Sequence, residues 1–294
     1  MATYQGEKYL KIQIESLLAQ DYPNLEFIWV DDASKDQSLS ILKEYASQDV
    51  RIQILENLKN EGHNAAFERG MKVANGEYIA LSDQDDYWVP SKISTLVNGI
   101  GNYSLIYSDS ELIDRAAREL PVKMSGLKRQ IAYNSPLVYT FGAWAPGHSM
   151  LFKKKVLETA LPLSNWVTHD YLLGFSATCH KGIAYIPIPL VHYRQHESNA
   201  IGADFKNAKK LYQTRAERNM RICERIKILA DRCQDSKEKQ LFEQLYLDFS
   251  GNSLFNRMRR CKTVLKYRDD MLAYKGKSSL GIFLYCFKLL FSIY

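Results

Sequence analysis

Gly76-Glu77-Tyr78-Ile79-Ala80-Leu81-Ser82-Asp83-Gln84-Asp85-Asp86-Tyr87-Trp88-Val89-Pro90 is the stretch that decides the fold. Tyr78 to Leu81 is an apolar run that reads as a buried strand, and three carboxylates, Asp83, Asp85 and Asp86, follow it within four positions. They therefore stand at the C-terminal end of a strand, the edge at which open α/β sheets bind ligands. Packed carboxylates repel one another unless a cation or strong donors neutralise them. An oxygen-seeking divalent ion, Mg²⁺ or Mn²⁺, meets that need and is commonly shared with a substrate's phosphates. Taken alone, the cluster reads more simply as a solvated acidic turn, and the flanking chain has to decide.

Upstream, Leu25-Glu26-Phe27-Ile28-Trp29-Val30 is a second apolar strand that closes on acids, Asp31-Asp32-Ala33-Ser34-Lys35-Asp36. In a parallel sheet both acidic ends lie on one edge, where a carboxylate accepts hydrogen bonds from a pyrimidine N3–H or a ribose hydroxyl. The plain alternative for Asp32-Ala33-Ser34 is a turn with a helix cap, worth about 1 kcal/mol. Asn60-Glu61-Gly62-His63-Asn64-Ala65-Ala66 is a polar loop entering a helix, and its glycine permits close approach to a ligand. Helical patterns at 7–20, 38–47, 65–74 and 90–100 alternate with strand patterns at 25–30, 50–55, 78–81 and 104–108. That interleaving predicts a largely parallel sheet with helices on both faces.

The chain has 294 residues, 46% of them apolar and 24% charged, as in an ordinary globular protein. Its five cysteines show no C-x-x-C spacing, which argues against a zinc site or a disulfide framework and suits a reducing cytoplasm. The opening Thr3-Tyr4-Gln5-Gly6-Glu7-Lys8 is polar, unlike a signal peptide. Residues 1–205 carry 19 Lys and Arg against 24 Asp and Glu, whereas 206–294 carry 20 against 9. Residues 206–272 read as helical throughout, and Leu280 to Tyr294 is an apolar run of 15 residues. That is short of the roughly 20 needed to span a bilayer, so an interfacial or packed helix is expected. A basic helix followed by a short apolar end suits an anionic membrane surface, with a solvated face packed on the main domain as the alternative.

Together these segments resemble the family 2 glycosyltransferases, and within them the bacterial rhamnosyltransferase-like branch. The matching segments are Ala2 to Leu10, Val30 to Asp36, the Gly62 loop, Gly76 to Trp88, and Tyr193-Arg194-Gln195-His196-Glu197-Ser198-Asn199. They follow family order and cover residues 1 to about 205. The resemblance implies an α/β GT-A fold, Rossmann-like and mostly parallel, over 1–205, with 206–294 as a basic helical extension. Only Met1-Ala2 precede the Thr3-Tyr4 turn. A doubly wound fold opens on a buried strand, so the first strand reads as truncated.

Carried over residue by residue, the resemblance implies that Thr3, Tyr4 and Asp32 hold the nucleoside, with Asn60 in the donor loop. Asp83 falls on the ribose or diphosphate side. Asp85 falls on the metal ligand of the Asp-x-Asp motif, with Asp86 beside it. Asp170, in Trp166-Val167-Thr168-His169-Asp170-Tyr171, falls on the general base, with His169 as an orienter or acceptor contact. Arg194 and His196 are placed towards the diphosphate, and His148, in Gly147-His148-Ser149, near the acceptor. The chain departs from the family at Gln5 and Ala66, where asparagine is usual. The implied activity is inverting, metal-dependent transfer from a dTDP- or UDP-linked sugar, rhamnose or another hexose. The implied acceptor is a saccharide or a polyprenyl-linked saccharide, in surface polysaccharide synthesis. The implied location is cytoplasmic, peripheral on the inner membrane, without nucleic acid as partner. The alternative is an inactive truncated member that binds nucleotide or membrane.

Overall fold

The computed structural model describes residues 1–196, 215–251, 253–276 and 278–291. Glu197, Ser198 and Asn199 of the last matching segment lie outside them. Strands β1 (Ala2–Thr3), β2 (Phe27–Asp31) and β3 (Ile52–Glu56) are joined by helices α1 (Glu7–Leu18) and α2 (Ser38–Ala46). Helix α3 (His63–Val73) leads to β4 (Tyr78–Ala80), then come β5 (Tyr87–Trp88), α4 (Lys92–Ile100), β6 (Leu105–Ile113), β7 (Glu119–Lys123) and α5 (Met124–Leu127). The second half adds β8 (Met150–Lys153), α6 (Leu157–Ala160), α7 (His169–His180) and β9 (Ile183–Arg194). The C-terminal helices are α8 (Arg215–Arg232), α9 (Ser236–Ser250), α10 (Leu254–Lys266), α11 (Arg268–Met271) and α12 (Ser279–Phe291).

Helical crossovers make β1, β2 and β3 parallel, with Ala2 opposite Val30 and Phe27 opposite Ile52. A second sheet runs β4-β8-β6-β9-β5, with β7 on β6. Here the expected parallel order gives way. β8 lies antiparallel to both β4 and β6, β5 is antiparallel to β9, and only β6 and β9 run parallel. Strand direction follows from where the connections cross, and the apolar runs themselves carry no record of it.

Alternation along the strands sends side chains into two cores. Ile106 and Leu151 face Leu10, Ile14, Leu42 and Leu96 of α1, α2 and α4. Leu105, Tyr107, Met150 and Phe152 face Phe67 and Met71 of α3 and Leu172, Leu173 and Phe175 of α7. The C-terminal helices extend this second core with Ile226, Leu229, Phe242, Phe249, Val264 and Leu289. The tail is helical in segments, with breaks at 233–235 and around 251 and 267. Among the described residues, no helix is long and apolar enough to cross a membrane.

Candidate active site

The structure brings the two acidic strand ends to one edge. Thr3 pairs with Asp31 across β1 and β2, and the Ala2 amide donates to Ser82 O beyond β4 at 3.4 Å. The turn after β1 is braced from both sides. The Tyr4 amide donates to Gln84 Oε1 at 2.8 Å, and Gln84 Nε2 donates back to Tyr4 O at 3.0 Å. Gly6 makes room for that clasp, because a Cβ there would lie 2.4 Å from Gln84 Oε1. Gln5, one of the departures, sits at φ 53° and accepts from the Lys35 and Asp36 amides at 3.2 Å. Its side chain thus ties the β1 turn to the β2 turn. Asp32 accepts from Asn57 Nδ2 (2.6 Å), Glu61 N (2.9 Å) and Gly62 N (2.8 Å), which fixes the Asn60 loop. Gly62 has φ +89°, a conformation side chains rarely adopt.

Below this edge lies a buried charged cluster. Burial, with help from Asp85 and Asp170, pushes the Asp83 carboxyl up to about 7. Burial, then the charges of Asp85 and Asp83, pushes Asp86 well above the usual carboxylate range. Asp86 Oδ1 accepts from the Arg194 amide at 3.1 Å, while its Oδ2 has no hydrogen-bond partner. Lys92 is fully buried against them. Its Nζ donates to His148 O at 2.7 Å and sits 3.1 Å from the Trp88 ring centroid. Burial draws its pKa well below that of a free lysine, and Asp86 and Asp83 pull it back up. His148 Nε2 is 2.9 Å from Ser110 Oγ, and its ring stacks on Tyr193 at 4.3 Å. Burial and then Lys92 depress its pKa to about 3, so the ring is neutral and able to ligate.

Ligand atoms of Asp83, Asp86 and His148 lie within 4.8 Å of one another. Carboxylates pushed towards protonation, one with an unpartnered oxygen, fit a divalent cation. Asp85 faces the adjoining cavity, with its Oδ2 2.8 Å from His196 Nε2, and His196 stacks on Tyr9 at 5.2 Å. Arg194 is 1% exposed and its guanidinium donates to the carbonyls of Asp85 (2.8 Å), Asp114 and Arg115 (3.3 Å each). Arg194, His196 and Asp86 therefore stand behind the cavity wall and hold the Asp85 segment.

The remaining residues singled out in the sequence line one cavity of 460 Å³: Thr3, Tyr4, Asp32, Asn60, Asp83, Asp85, His148, His169 and Asp170. Asp170 lies in the first turn of α7, where the helix dipole favours a carboxylate. Its Oδ2 accepts from Trp144 Nε1 at 2.9 Å, and Oδ1 accepts from the Tyr171 amide at 2.8 Å and from the Thr168 hydroxyl. The His169 amide donates to Asn64 Oδ1 at 3.0 Å. Asn64 Nδ2 in turn donates to Ser164 O (3.0 Å) and Val167 O (2.9 Å), clamping the approach to α7. Burial, partly offset by Asp170, depresses His169 to about 4, so its ring is neutral at physiological pH. Gly147 is required beside it, since a Cβ would lie 2.9 Å from His169 Nε2 and 3.6 Å from Asp170 Cβ. Sequence reasoning missed Asn64, Gln84, Lys92 and Trp144.

A cavity at the carboxyl edge of an α/β sheet, acidic at one end and closed by a helix-borne Asp at the other, has the features of a ligand-binding active site of the α/β class. Residues 1–158 match the model of the glycosyl transferase family 2, and the chain belongs to that family. EpsH of Bacillus subtilis is 28% identical over 234 residues, 74% of this chain and 67% of that protein. The dTDP-rhamnosyl transferase RfbG of Shigella flexneri is 27% identical over 281 residues, 89% of this chain and 95% of its own. The Escherichia coli UDP-Glc:alpha-D-GlcNAc-diphosphoundecaprenol beta-1,3-glucosyltransferase WfaP is 34% identical over 110 residues, 37% of this chain and 43% of that protein. Among solved structures, S. aureus TarS 1–349 in complex with UDP-GlcNAc superposes with a TM-score of 0.60 at 16% identity, over 92% of this chain and 80% of TarS. The mannosyltransferase PcManGT from Pyrobaculum calidifontis, in complex with GDP-Man and Mn²⁺, superposes with a TM-score of 0.53 at 16% identity, over all of this chain and 79% of its own. The fold is GT-A, and the chain is a glycosyltransferase.

Proposed function

We propose that this chain transfers a hexose with inversion from a dTDP- or UDP-linked donor to a saccharide or polyprenyl-linked acceptor. Surface polysaccharide synthesis is the process this reaction would serve. The observation that carries the reading is that Thr3, Tyr4, Asp32, Asp83 and Asp85 open on the same cavity as Asp170. The nucleoside lies at Thr3, Tyr4 and Asp32, with the half-exposed Tyr4 ring free to stack on a base. Asp85 at the cavity, backed by buried Asp86 and with Asp83 beside it, would hold a divalent ion, Mg²⁺ or Mn²⁺, and such an ion would stabilise charge on the departing diphosphate. Asp170 takes the proton of the acceptor hydroxyl as its oxygen attacks the anomeric carbon. The bond from that carbon to the phosphate oxygen breaks, and its electron pair leaves on the nucleotide diphosphate. Neutral His169 and His148 border the acceptor end. RfbG, matched over nearly its whole length, supports rhamnose as the sugar.

Calorimetry with UDP and dTDP in Mn²⁺ tests the donor half. Turnover of Asp170→Asn, expected to fall about 10²-fold or more with folding intact, tests the base. Near-full turnover of that variant would remove Asp170 from the role.

Transfer is assigned to residues 1–205 and membrane attachment to 206–294. α12 turns Leu280, Phe283, Leu284 and Phe287 to solvent at helical spacing, while Cys286 and Leu289 face inward. Not all of the basic tail faces outward: Arg260 is buried, and Arg259 pairs with buried Asp248 at 3.1 Å. The apolar stripe of α12 is therefore the stronger contact. Flotation with phosphatidylglycerol vesicles, lost in Phe283→Glu/Phe287→Glu, is the expected result, and retention by that variant would refute it.

A further inference from the structure

Lys128 stands next to Asp170 without belonging to any motif. It closes α5, its amide donating to Met124 O at 2.9 Å. The segment that carries it is pinned on both sides. The Ser125 amide donates to buried Asp109 at 3.0 Å, joined by the Ser125 hydroxyl, and the Ile131 amide donates to Tyr107 Oη at 2.9 Å. From this fixed turn Lys128 Nζ lies 3.9 Å from the centroid of the Trp144 ring. Trp144 lines the cavity, and its Nε1 donates to Asp170 Oδ2 at 2.9 Å. Cation, indole and carboxylate thus form one chain of contacts that ends on the reacting side of the cavity.

The charges around Asp170 give that chain a purpose. Asp83, Tyr139, His169 and Lys128 all feel the Asp170 carboxylate. Burial pushes the Tyr139 hydroxyl well above its ordinary range and depresses His169 to about 4, so both rings are neutral at physiological pH. Asp83 is a second acid. Arg225 of α8 faces the Tyr171 ring at 5.1 Å instead. Lys128 is the cation of the four: burial draws its pKa down, and Asp170 pulls it back up. A carboxylate that is 6% exposed and faces another acid tends to take up a proton, yet a base must be ionised before the acceptor hydroxyl arrives. Positive charge within the wall offsets that tendency. It also acts through the ring, because a cation over the face of an indole draws on its electrons and makes the N–H a stronger donor.

We propose that Lys128 is a positioning residue for sugar transfer: through the Trp144 indole it keeps the Asp170 carboxylate ionised and fixed in orientation. The inference rests on the reading of Asp170 as the base. Lys128 itself touches neither donor nor acceptor in this role. A cation held on an indole gains about 0.5–2 kcal/mol, which offsets part of the cost of drawing a lysine head out of water.

The chain has four tryptophans, so the indole N–H signals of the full chain are readily assigned by nuclear magnetic resonance. Trp144→Phe identifies the Trp144 signal, and Asp170→Asn should abolish its movement with pH. In Lys128→Met the midpoint of that movement should rise by roughly one pH unit, and the N–H signal should shift upfield as its bond weakens. Lys128→Arg, which keeps the cation, should restore both. Dispersed signals from the remaining tryptophans report that each variant is folded. An unchanged midpoint in Lys128→Met would overturn the proposal, as would a Trp144 signal that still titrates in Asp170→Asn. These readouts need neither sugar donor nor acceptor. Near-full turnover of Asp170→Asn would instead remove the base, and the part of Lys128 in the reaction with it, while leaving the spectra as described, so the two failures are told apart.

Discussion

Lys92→Met removes the cation buried beneath the acidic cluster while keeping much of the side chain's length. In the native protein Lys92 Nζ donates to His148 O at 2.7 Å and faces Asp86 and Asp83. Losing a buried hydrogen bond made by a charged group costs about 1.5–3 kcal/mol. The unfolding entropy of a 294-residue chain is about 0.6 kcal/mol/K, so that loss lowers the melting temperature by roughly 2–5 °C. The sign of its pH dependence distinguishes charge from packing. Asp83 titrates at about 7 in the folded state against an ordinary value of 3.8, so its ionisation costs stability increasingly as pH rises through that window. Lys92 holds that cost down, and Asp86 shares its benefit. The deficit of the variant should be largest above pH 7 and narrow towards pH 5, where the folded cluster takes up protons. Thermal melts at pH 5, 6.5 and 8, with Lys92→Arg as the charge-retaining control, read this directly. A deficit equal at pH 5 and pH 8 would refute the electrostatic account and leave only the bond to His148 and the contact with Trp88.

Gly147→Ala should depress kcat at least tenfold with little loss of nucleotide binding, because its Cβ would meet His169 Nε2 at 2.9 Å and shift the ring that neighbours Asp170. Steady-state kinetics beside calorimetry with UDP separates the two effects. Metal-nucleotide affinity should weaken as pH falls through about 7, because protons compete for Asp83 below its folded value. Titrations with UDP and Mn²⁺ at pH 6 and pH 8 check this. Asn64→Ala removes one acceptor and two donors that clamp the segment entering α7, and should cost about 2–3 kcal/mol. Faster amide exchange over residues 164–170 should accompany that loss in urea unfolding.

What the sequence made legible was local. The apolar run Tyr78 to Leu81 ending on acids, the helical spacing of Leu10, Ile14 and Leu17, and the glycine at φ +89° in the Asn60 loop all act through near neighbours. The unread part of the site depends on distant partners. Lys92 binds a carbonyl 56 positions away, and Asn64 one 103 positions away. A lysine opening a helix reads as solvent-exposed, since burial of that residue type is rare. Arg194 and His196 show the converse. Their motif marked them as important, but only the fold shows that Arg194 spends its guanidinium on the backbone carbonyls of Asp85, Asp114 and Arg115 in the wall. Residue type indicates what a group can bind, whereas burial decides what it does bind.

The cavity is lined from both halves of the fold. Thr3 ends a strand of the first half, Asp32 and Asp83 lie just beyond two others, and Asp170 rides on a helix of the second. Attack on an anomeric carbon is sensitive to displacements near 1 Å, so the two halves must be locked in register. The contacts that do this are polar: Lys92 to His148 O and Asn64 to Val167 O, while Trp144 holds Asp170 from within the second half. The two that run between the halves span 56 and 103 positions. Apolar packing between the halves could slide by a fraction of a side chain without large cost, whereas a buried hydrogen bond to a charged group is lost over the same distance. The residues without chemistry of their own are therefore the ones that set the separation between leaving-group end and base.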